Sequence, residues 1–206
     1  MKEVRHRVGL MGGTFDPIHI GHLMLAECAY EQFRLDRVLF LPSGNPPHKQ
    51  ERDGASDQDR LEMVRLAIAD NPHFALDDEE MHREGYTYTK DTLRILNRLH
   101  PDTDFYFIIG ADSLVSFDTW KDPEFIAQSC ILVAAVRDQL DDATMQQKME
   151  VLRQKFDADV RLLKTPDVEI SSSFLRALRA QHRSIRYYVP ENVLEYIQLH
   201  GLYQED

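Results

Sequence analysis

At 206 residues, with 43% hydrophobic and 29% charged residues, the chain has the make-up of a globular protein of one large domain, or one domain with a small appendage. Its net charge of −11 excludes a general nucleic-acid binder, which would carry a basic surface, so any anion site must be built locally from a few basic groups and helix ends. No apolar run reaches the length of a membrane span, and the charged start at 1–7 lacks the apolar stretch of a signal peptide. The two cysteines, Cys28 and Cys130, lie far apart in apolar segments, so a cytoplasmic protein with buried free thiols is expected.

In chain order, apolar β-prone runs lie at 7–11, 37–42, 105–109, 130–136 and 160–163. Helical periodicity fills most of the gaps, at 22–33, 57–70, 89–100, 123–128, 143–156, 172–180 and 190–200. Strands alternating with helices imply βαβ units, and short apolar strands suit a sheet covered on both faces. The predicted fold is α/β, a doubly wound, mainly parallel sheet with helices on both faces. The span 1–206 is expected to be a single domain with a C-terminal helical portion from about 170. Ligands in such folds bind beyond the carboxyl ends of the strands. Residues 43–59, with Gly44, Pro46, Pro47 and Gly54, are predicted to form a long loop, either a binding loop or a solvated connection.

The first strand runs into Gly12-Gly13-Thr14-Phe15-Asp16-Pro17-Ile18-His19-Ile20-Gly21-His22, and a helical pattern follows. His19 and His22 therefore share one face at a strand-to-helix junction, where free backbone N–H groups and the positive dipole end suit a phosphate. The stretch is neither a Walker A loop nor a Gly-x-Gly-x-x-Gly dinucleotide fingerprint, and His-x-x-His without further ligands is a poor zinc site. The plain alternative is a histidine pair capping a helix in contact with solvent. Other groups that would serve a local anion site are His48, Lys49, Arg137 and Arg176.

Three further stretches carry chemistry. In Glu169-Ile170-Ser171-Ser172-Ser173-Phe174-Leu175-Arg176, a hydroxyl N-cap precedes an arginine one turn into a helix. In Phe107-Ile108-Ile109-Gly110-Ala111-Asp112-Ser113, a strand ends at a carboxylate that accepts ribose hydroxyls or caps the next helix. Trp120, the only tryptophan, follows and is either a core anchor or a base-stacking surface. In Arg83-Glu84-Gly85-Tyr86-Thr87-Tyr88-Thr89-Lys90-Asp91-Thr92-Leu93, Thr87 or Thr89 is expected to cap a helix. No nucleophile–base pair stands out.

The first stretch resembles the His-x-Gly-His signature of the nucleotidyltransferase superfamily, shared in relaxed form with class I aminoacyl-tRNA synthetases. The second resembles that superfamily's Ile-Ser-Ser-Thr-x-Ile-Arg motif, with Ser173 in place of threonine and Leu175 in place of isoleucine. Together the four stretches resemble the bacterial nicotinate-nucleotide adenylyltransferases, from about residue 8 to Gly201-Leu202-Tyr203. Members join nicotinate mononucleotide to ATP in NAD synthesis.

The resemblance implies one nucleotidyltransferase domain of Rossmann-like fold in which His19, His22 and Arg176 are catalytic. It implies an ATP site of Gly12, Gly13, Thr14, Phe15, Gly110, Asp112, Ile170, Ser171 and Ser172. It assigns Asn45, His48, Lys49, Tyr88, Thr89, Trp120 and Arg137 to nicotinate mononucleotide, with the indole stacked on the pyridine ring. Two positions depart from the family: Gly44 stands where a second asparagine is usual, and Arg137-Asp138-Gln139 lacks the usual arginine–proline. Such a transfer rests on positioning and charge stabilisation, the second substrate bringing its own phosphate as nucleophile. Mg²⁺ is expected to arrive with ATP and to take few protein ligands, Asp16 being the residue to consider.

The expected partners are ATP and nicotinate mononucleotide, without nucleic acid or membrane, in a monomer or dimer. The nicotinate carboxylate is expected to be read by backbone N–H groups near 118–120 and by a threonine hydroxyl. The alternatives are another enzyme of this superfamily, a pantetheine-phosphate adenylyltransferase or a cytidylyltransferase, and a non-catalytic nucleotide sensor.

Overall fold

The apolar strand runs send side chains to two opposite faces of one sheet. In the computed structural model, which describes residues 5–44, 54–136 and 142–204, the strands are β1 (His6–Gly13), β2 (Arg37–Pro42), β3 (Phe74–Leu76), β4 (Thr103–Gly110), β5 (Ile131–Val136) and β6 (Val160–Lys164). All pair in parallel, in the order β3-β2-β1-β4-β5-β6. Successive side chains of a strand point to opposite faces. Met11, Val38, Phe40, Ile108 and Val133 accordingly join one core, and Leu10, Leu41, Phe107, Ile109 and Leu132 the other.

The helices are α1 (Ile20–Phe33), α2 (Asp57–Ile68), α3 (Thr89–Leu99), α4 (Ala111–Val115), α5 (Pro123–Ser129), α6 (Asp142–Phe156), α7 (Ser172–Ala180) and α8 (Glu191–Leu199). The first core is closed by α1, α2, α7 and α8 through residues such as Ala29, Met63, Leu175 and Val193. The second is closed by α3, α5 and α6 through Leu93, Ile126 and Met149. This is the doubly wound α/β fold expected, with every described strand pair parallel. No described helix is long and apolar enough to cross a membrane.

The differences from the sequence-based expectation are small and have physical causes. Strand β3 has three half-buried residues at the sheet edge, too few to display an alternation. Helix α4 is a five-residue turn directly after β4, below the length at which helical periodicity shows. Helix α2 stops at Ile68 instead of running to 70. Both cysteines are free but only partly buried.

The chain winds outward from β1 to β3, then returns to place β4 on the other side of β1. That reversal opens a crevice beyond the carboxyl ends of β1 and β4, where doubly wound folds take ligands.

Candidate active site

Two cavities occupy the crevice. The smaller, about 540 Å³, is lined by His19, Gly21 and His22 of the first loop and helix, by Gly110 and Asp112, and by residues 165–172. The larger, about 900 Å³, is lined by Gly12, Gly13 and Thr14, by Thr87, Tyr88 and Thr89, and by Trp120 and Lys121. His22, Leu25 and Gly110 line both. The N-termini of α1, α4 and α7 all border the smaller cavity, so their positive dipole ends converge there.

His19 is the N-cap of α1 and His22 its third residue. The two rings stack, centroids 3.7 Å apart. The glycine between them leaves room for that stack, since a Cβ at Gly21 would lie 3.0 Å from His19 Nδ1 and would push the ring by a few tenths of an ångström. The backbone N–H of His19 donates to His22 Nδ1 at 3.2 Å. In a neutral ring the proton then sits on Nε2, so His22 offers a donor to the crevice. Burial pushes the His19 imidazole down to about 4. Burial and then the neighbouring His19 hold His22 well below the usual imidazole range. His19 Nδ1 is buried without a partner.

The loop between β1 and α1 is pinned carbonyl by carbonyl. Arg60, on α2 and 1% exposed, donates through Nη1 to Thr14 O at 2.6 Å and through Nη2 to Ser43 O at 2.9 Å. Arg176 Nη1 donates to Asp16 O at 2.7 Å, and Ser172 Oγ donates to Pro17 O at 2.9 Å. Ser171 caps α7 by accepting from Phe174 N–H. The Phe15 ring is buried against His22 and Phe40 and covers Gly13. Ile170 and Ser171 line the smaller cavity beside Ser172. Arg176 stands one turn into α7 as the sequence suggests, but its guanidinium is turned to Asp16.

The Asp16 carboxylate is occupied by the protein itself. Oδ1 accepts from Ala55 N–H at 3.0 Å and from the Tyr203 hydroxyl at 2.7 Å, and Oδ2 lies 3.7 Å from Arg176 Nη1. A Cβ at Gly54 would fall 2.1 Å from Oδ2. These contacts do not fit a metal ligand. Among the described residues no three His, Cys, Asp or Glu side chains are grouped to hold a metal ion.

In the larger cavity Trp120 rests edge-on against Phe107 and tilted against Phe117, one part of its ring lying on the core and another facing the cleft. Thr87 is 6% exposed, its hydroxyl has no partner, and it lines the cleft beside Tyr88 and Thr89. Neither threonine caps α3, whose N-cap is Tyr88 without a side-chain bond. The backbone N–H groups of Thr119 and Trp120 are donated within a 3-10 turn, to Ser116 O and Phe117 O. They are therefore not available to read a carboxylate, contrary to expectation, and threonine hydroxyls remain. Asp112 is the second residue of α4, not its cap, and its side chain is exposed beside the smaller cavity.

The crevice thus brings together Gly12, Gly13, Thr14, His19, His22, Gly110, Asp112, Ile170, Ser171, Ser172, Tyr88, Thr89 and Trp120. Asn45, His48, Lys49 and Arg137 lie outside the described residues. Sequence reasoning missed Arg60, which looks like a surface partner of Asp57 three residues earlier, and Lys121, an exposed cation on the rim of the larger cavity. It also missed Thr87 as a cleft residue, because a buried unpartnered hydroxyl has no sequence signature.

Residues 10–178 match the cytidylyltransferase-like family. The chain is 49% identical over 197 residues to a protein of Lachnoclostridium phytofermentans named "Probable nicotinate-nucleotide adenylyltransferase", covering 96% of this chain and 98% of that one. A Synechococcus protein of the same name is 44% identical over 199 residues, with 97% and 95% covered. The solved structure of Plasmodium falciparum nicotinic acid mononucleotide adenylyltransferase complexed with NaAD is alike in fold, with a TM-score of 0.79 over 96% of this chain and 97% of that chain at 22% identity.

Proposed function

The chain belongs to the nicotinate-nucleotide adenylyltransferases of the cytidylyltransferase-like family, and we propose on that footing that it transfers the adenylyl group of ATP to nicotinate mononucleotide in NAD synthesis. The 5′-phosphate oxygen of the mononucleotide attacks the α-phosphorus of ATP in line. A new P–O bond forms, the bond to the bridging oxygen of the β-phosphate breaks, and pyrophosphate leaves with nicotinate adenine dinucleotide as product. The observation that carries this reading is that two cavities meet at His22 and Gly110. One cavity is bordered by helix N-termini suited to phosphates, the other by an aromatic face suited to a pyridine ring.

In this reading ATP lies in the smaller cavity, its triphosphate across the N-termini of α1 and α7. His22 Nε2–H and His19 meet the α- and β-phosphates, where charge builds as pyrophosphate departs. Neutral imidazoles in a buried, water-poor pocket donate without first having to be stripped of solvent as cations. Ser171, Ser172 and Arg176 belong to the β,γ side, and Asp112 to the ribose. Gly110 lets the ligand approach the backbone, since a Cβ there would meet nothing of the protein. The pyridine lies on Trp120, with the hydroxyls of Thr87 and Thr89 toward its carboxylate. Asn45, His48, Lys49 and Arg137 are held to the same side by resemblance alone. Mg²⁺ belongs to the substrate, carried on the ATP phosphates, and the protein needs no ligand set of its own for it. The whole chain acts as one catalytic domain.

The test is pyrophosphate release from ATP in the presence of nicotinate mononucleotide, nicotinamide mononucleotide or phosphopantetheine, and from CTP with the same acceptors. Release with ATP and nicotinate mononucleotide is expected. Release with ATP and phosphopantetheine alone, or ATP binding without any release, overturns the assignment.

A further inference from the structure

We propose that Tyr203 is a positioning residue for the phosphate loop: its hydroxyl, on the turn after α8, bonds Asp16, the residue to which Arg176 is tied.

Asp16 and Tyr203 are 187 positions apart, yet the hydroxyl lies 2.7 Å from Oδ1. The contact is prepared locally. Helix α8 ends at Leu199, Leu202 N–H bonds back to Ile197 O at 3.0 Å, and Gly201 and Tyr203 take left-handed φ values of +60° and +62°. The chain therefore reverses and sends the phenol inward, where it packs against the first core. Burial, and then the Asp16 charge, push the phenol above its ordinary range, so it remains a protonated donor at every working pH.

Asp16 links that donor to the groups assigned to phosphate. Its backbone carbonyl accepts from Arg176 Nη1 at 2.7 Å, and its Oδ2 faces the same nitrogen at 3.7 Å. Pro17, the next residue, is held by Ser172, and His19 follows two residues later. Tyr203 thus fixes one oxygen of a carboxylate whose other oxygen and main chain set where the Arg176 guanidinium sits. Losing the hydroxyl leaves Asp16 held by Ala55 N–H alone on that oxygen and lets the carboxylate rotate toward Arg176. A small displacement of a transition-state contact has a large kinetic cost.

The inference rests on Arg176 meeting the triphosphate, and its test separates the two. The full chain, Tyr203→Phe, Arg176→Ala and their double variant are compared for turnover, for KM of nicotinate mononucleotide, for calorimetric ATP affinity and for thermal midpoint. Val160→Ala serves as a control that loosens the second core, away from Asp16 and from the turn that carries Tyr203. Tyr203→Phe is expected to lower turnover about tenfold and ATP affinity about fivefold, with KM for the mononucleotide within about twofold. In the Arg176→Ala background the same change should alter neither by more than about twofold, because residues acting through one network do not add. Val160→Ala should lower the thermal midpoint and leave turnover unchanged. A folded Tyr203→Phe protein with wild-type turnover and ATP affinity overturns the inference. So does an undiminished loss in the Arg176→Ala background, or a Tyr203→Phe chain that fails to fold, which would assign the hydroxyl to stability. A wild-type chain that binds ATP but makes no dinucleotide sinks the substrate assignment and leaves ATP affinity to judge Tyr203.

Discussion

The rings of His19 and His22 lie 3.7 Å apart with their planes inclined by only 22°. A stacked pair in a buried pocket resists taking up protons, and burial pushes His19 down from 6.5 to about 4. Between those pH values the unfolded chain binds protons that the folded chain rejects. The stability contributed by the neutral pair is therefore fully present above pH 6.5 and lost as pH falls through about 4. For His19 the full loss is on the order of 3 kcal/mol. Denaturant unfolding at a series of pH values from 7.5 to about 4 should show this decline. His19→Asn should flatten it, and an equally steep decline in that variant would remove His19 as its source.

Gly21 tests the geometry of the same pair from the other side. An alanine Cβ would stand 3.0 Å from His19 Nδ1 and 3.2 Å from its Cε1, so the ring must shift by a few tenths of an ångström. Alanine suits a helix better than glycine, which favours stability by up to about 1 kcal/mol. Gly21→Ala is thus expected to keep or raise the thermal midpoint while lowering turnover by about tenfold or more. Unchanged turnover in that variant would show that the stack is not needed for the reaction.

Arg60 carries the junction between the two loops. Its guanidinium satisfies Thr14 O and Ser43 O and pairs with Asp57 Oδ1 at 2.8 Å, while the residue is 1% exposed. Arg60→Met fills similar volume but orphans both carbonyls, each loss costing about 1–3 kcal/mol. The thermal midpoint should fall by roughly 10 °C for a chain of this size. A fall of under about 2 °C would mean that water replaces the guanidinium.

These positions also mark what a linear reading can reach. The loop between β1 and α1 is legible because Gly12 to His22 are contiguous and their work is local: a strand end, a cap, a ring stack across one helical turn. The strands are legible because a sheet covered on both faces demands unbroken apolar runs, and β3 escapes because three edge residues need no such run. Arg60 and Tyr203 are not legible, since their partners lie 46 and 187 positions away and neither side chain differs from an ordinary surface or terminal residue until the chain is folded. The backbone around Trp120 fails for another reason: residue types there do not say that a 3-10 turn consumes the N–H groups of Thr119 and Trp120.

Gly110 separates packing from ligand demands. It is the N-cap of α4 with φ −72° and ψ 160°, a conformation open to any residue, and a Cβ added there would meet no protein atom within 4 Å. Folding therefore has no use for glycine at this position, whereas both cavities touch it. Gly110→Ala should leave the thermal midpoint within about 2 °C, since it adds a methyl to open space. It should weaken ATP binding by about tenfold, measured by calorimetry. Wild-type affinity in that variant would take the nucleotide away from the end of β4.

Thr87 allows a sign to be read. Its hydroxyl is buried in the cleft wall with no partner, so in the free protein it has lost its water without gaining a bond. Replacing it by a methyl of the same shape removes that penalty, and Thr87→Val is expected to be as stable as wild type or more stable by about 1 kcal/mol. On the proposed assignment, the bound mononucleotide would offer this hydroxyl its pyridine carboxylate as acceptor, a charged hydrogen bond worth about 1.5–3 kcal/mol. The variant should then show a KM for nicotinate mononucleotide raised by about tenfold or more and a reduced preference over nicotinamide mononucleotide, with KM for ATP unchanged. Stability and affinity moving in opposite directions is the signature of a hydroxyl kept for a ligand. A Thr87→Val protein that is destabilised and keeps wild-type kinetics would instead place an internal partner on that oxygen.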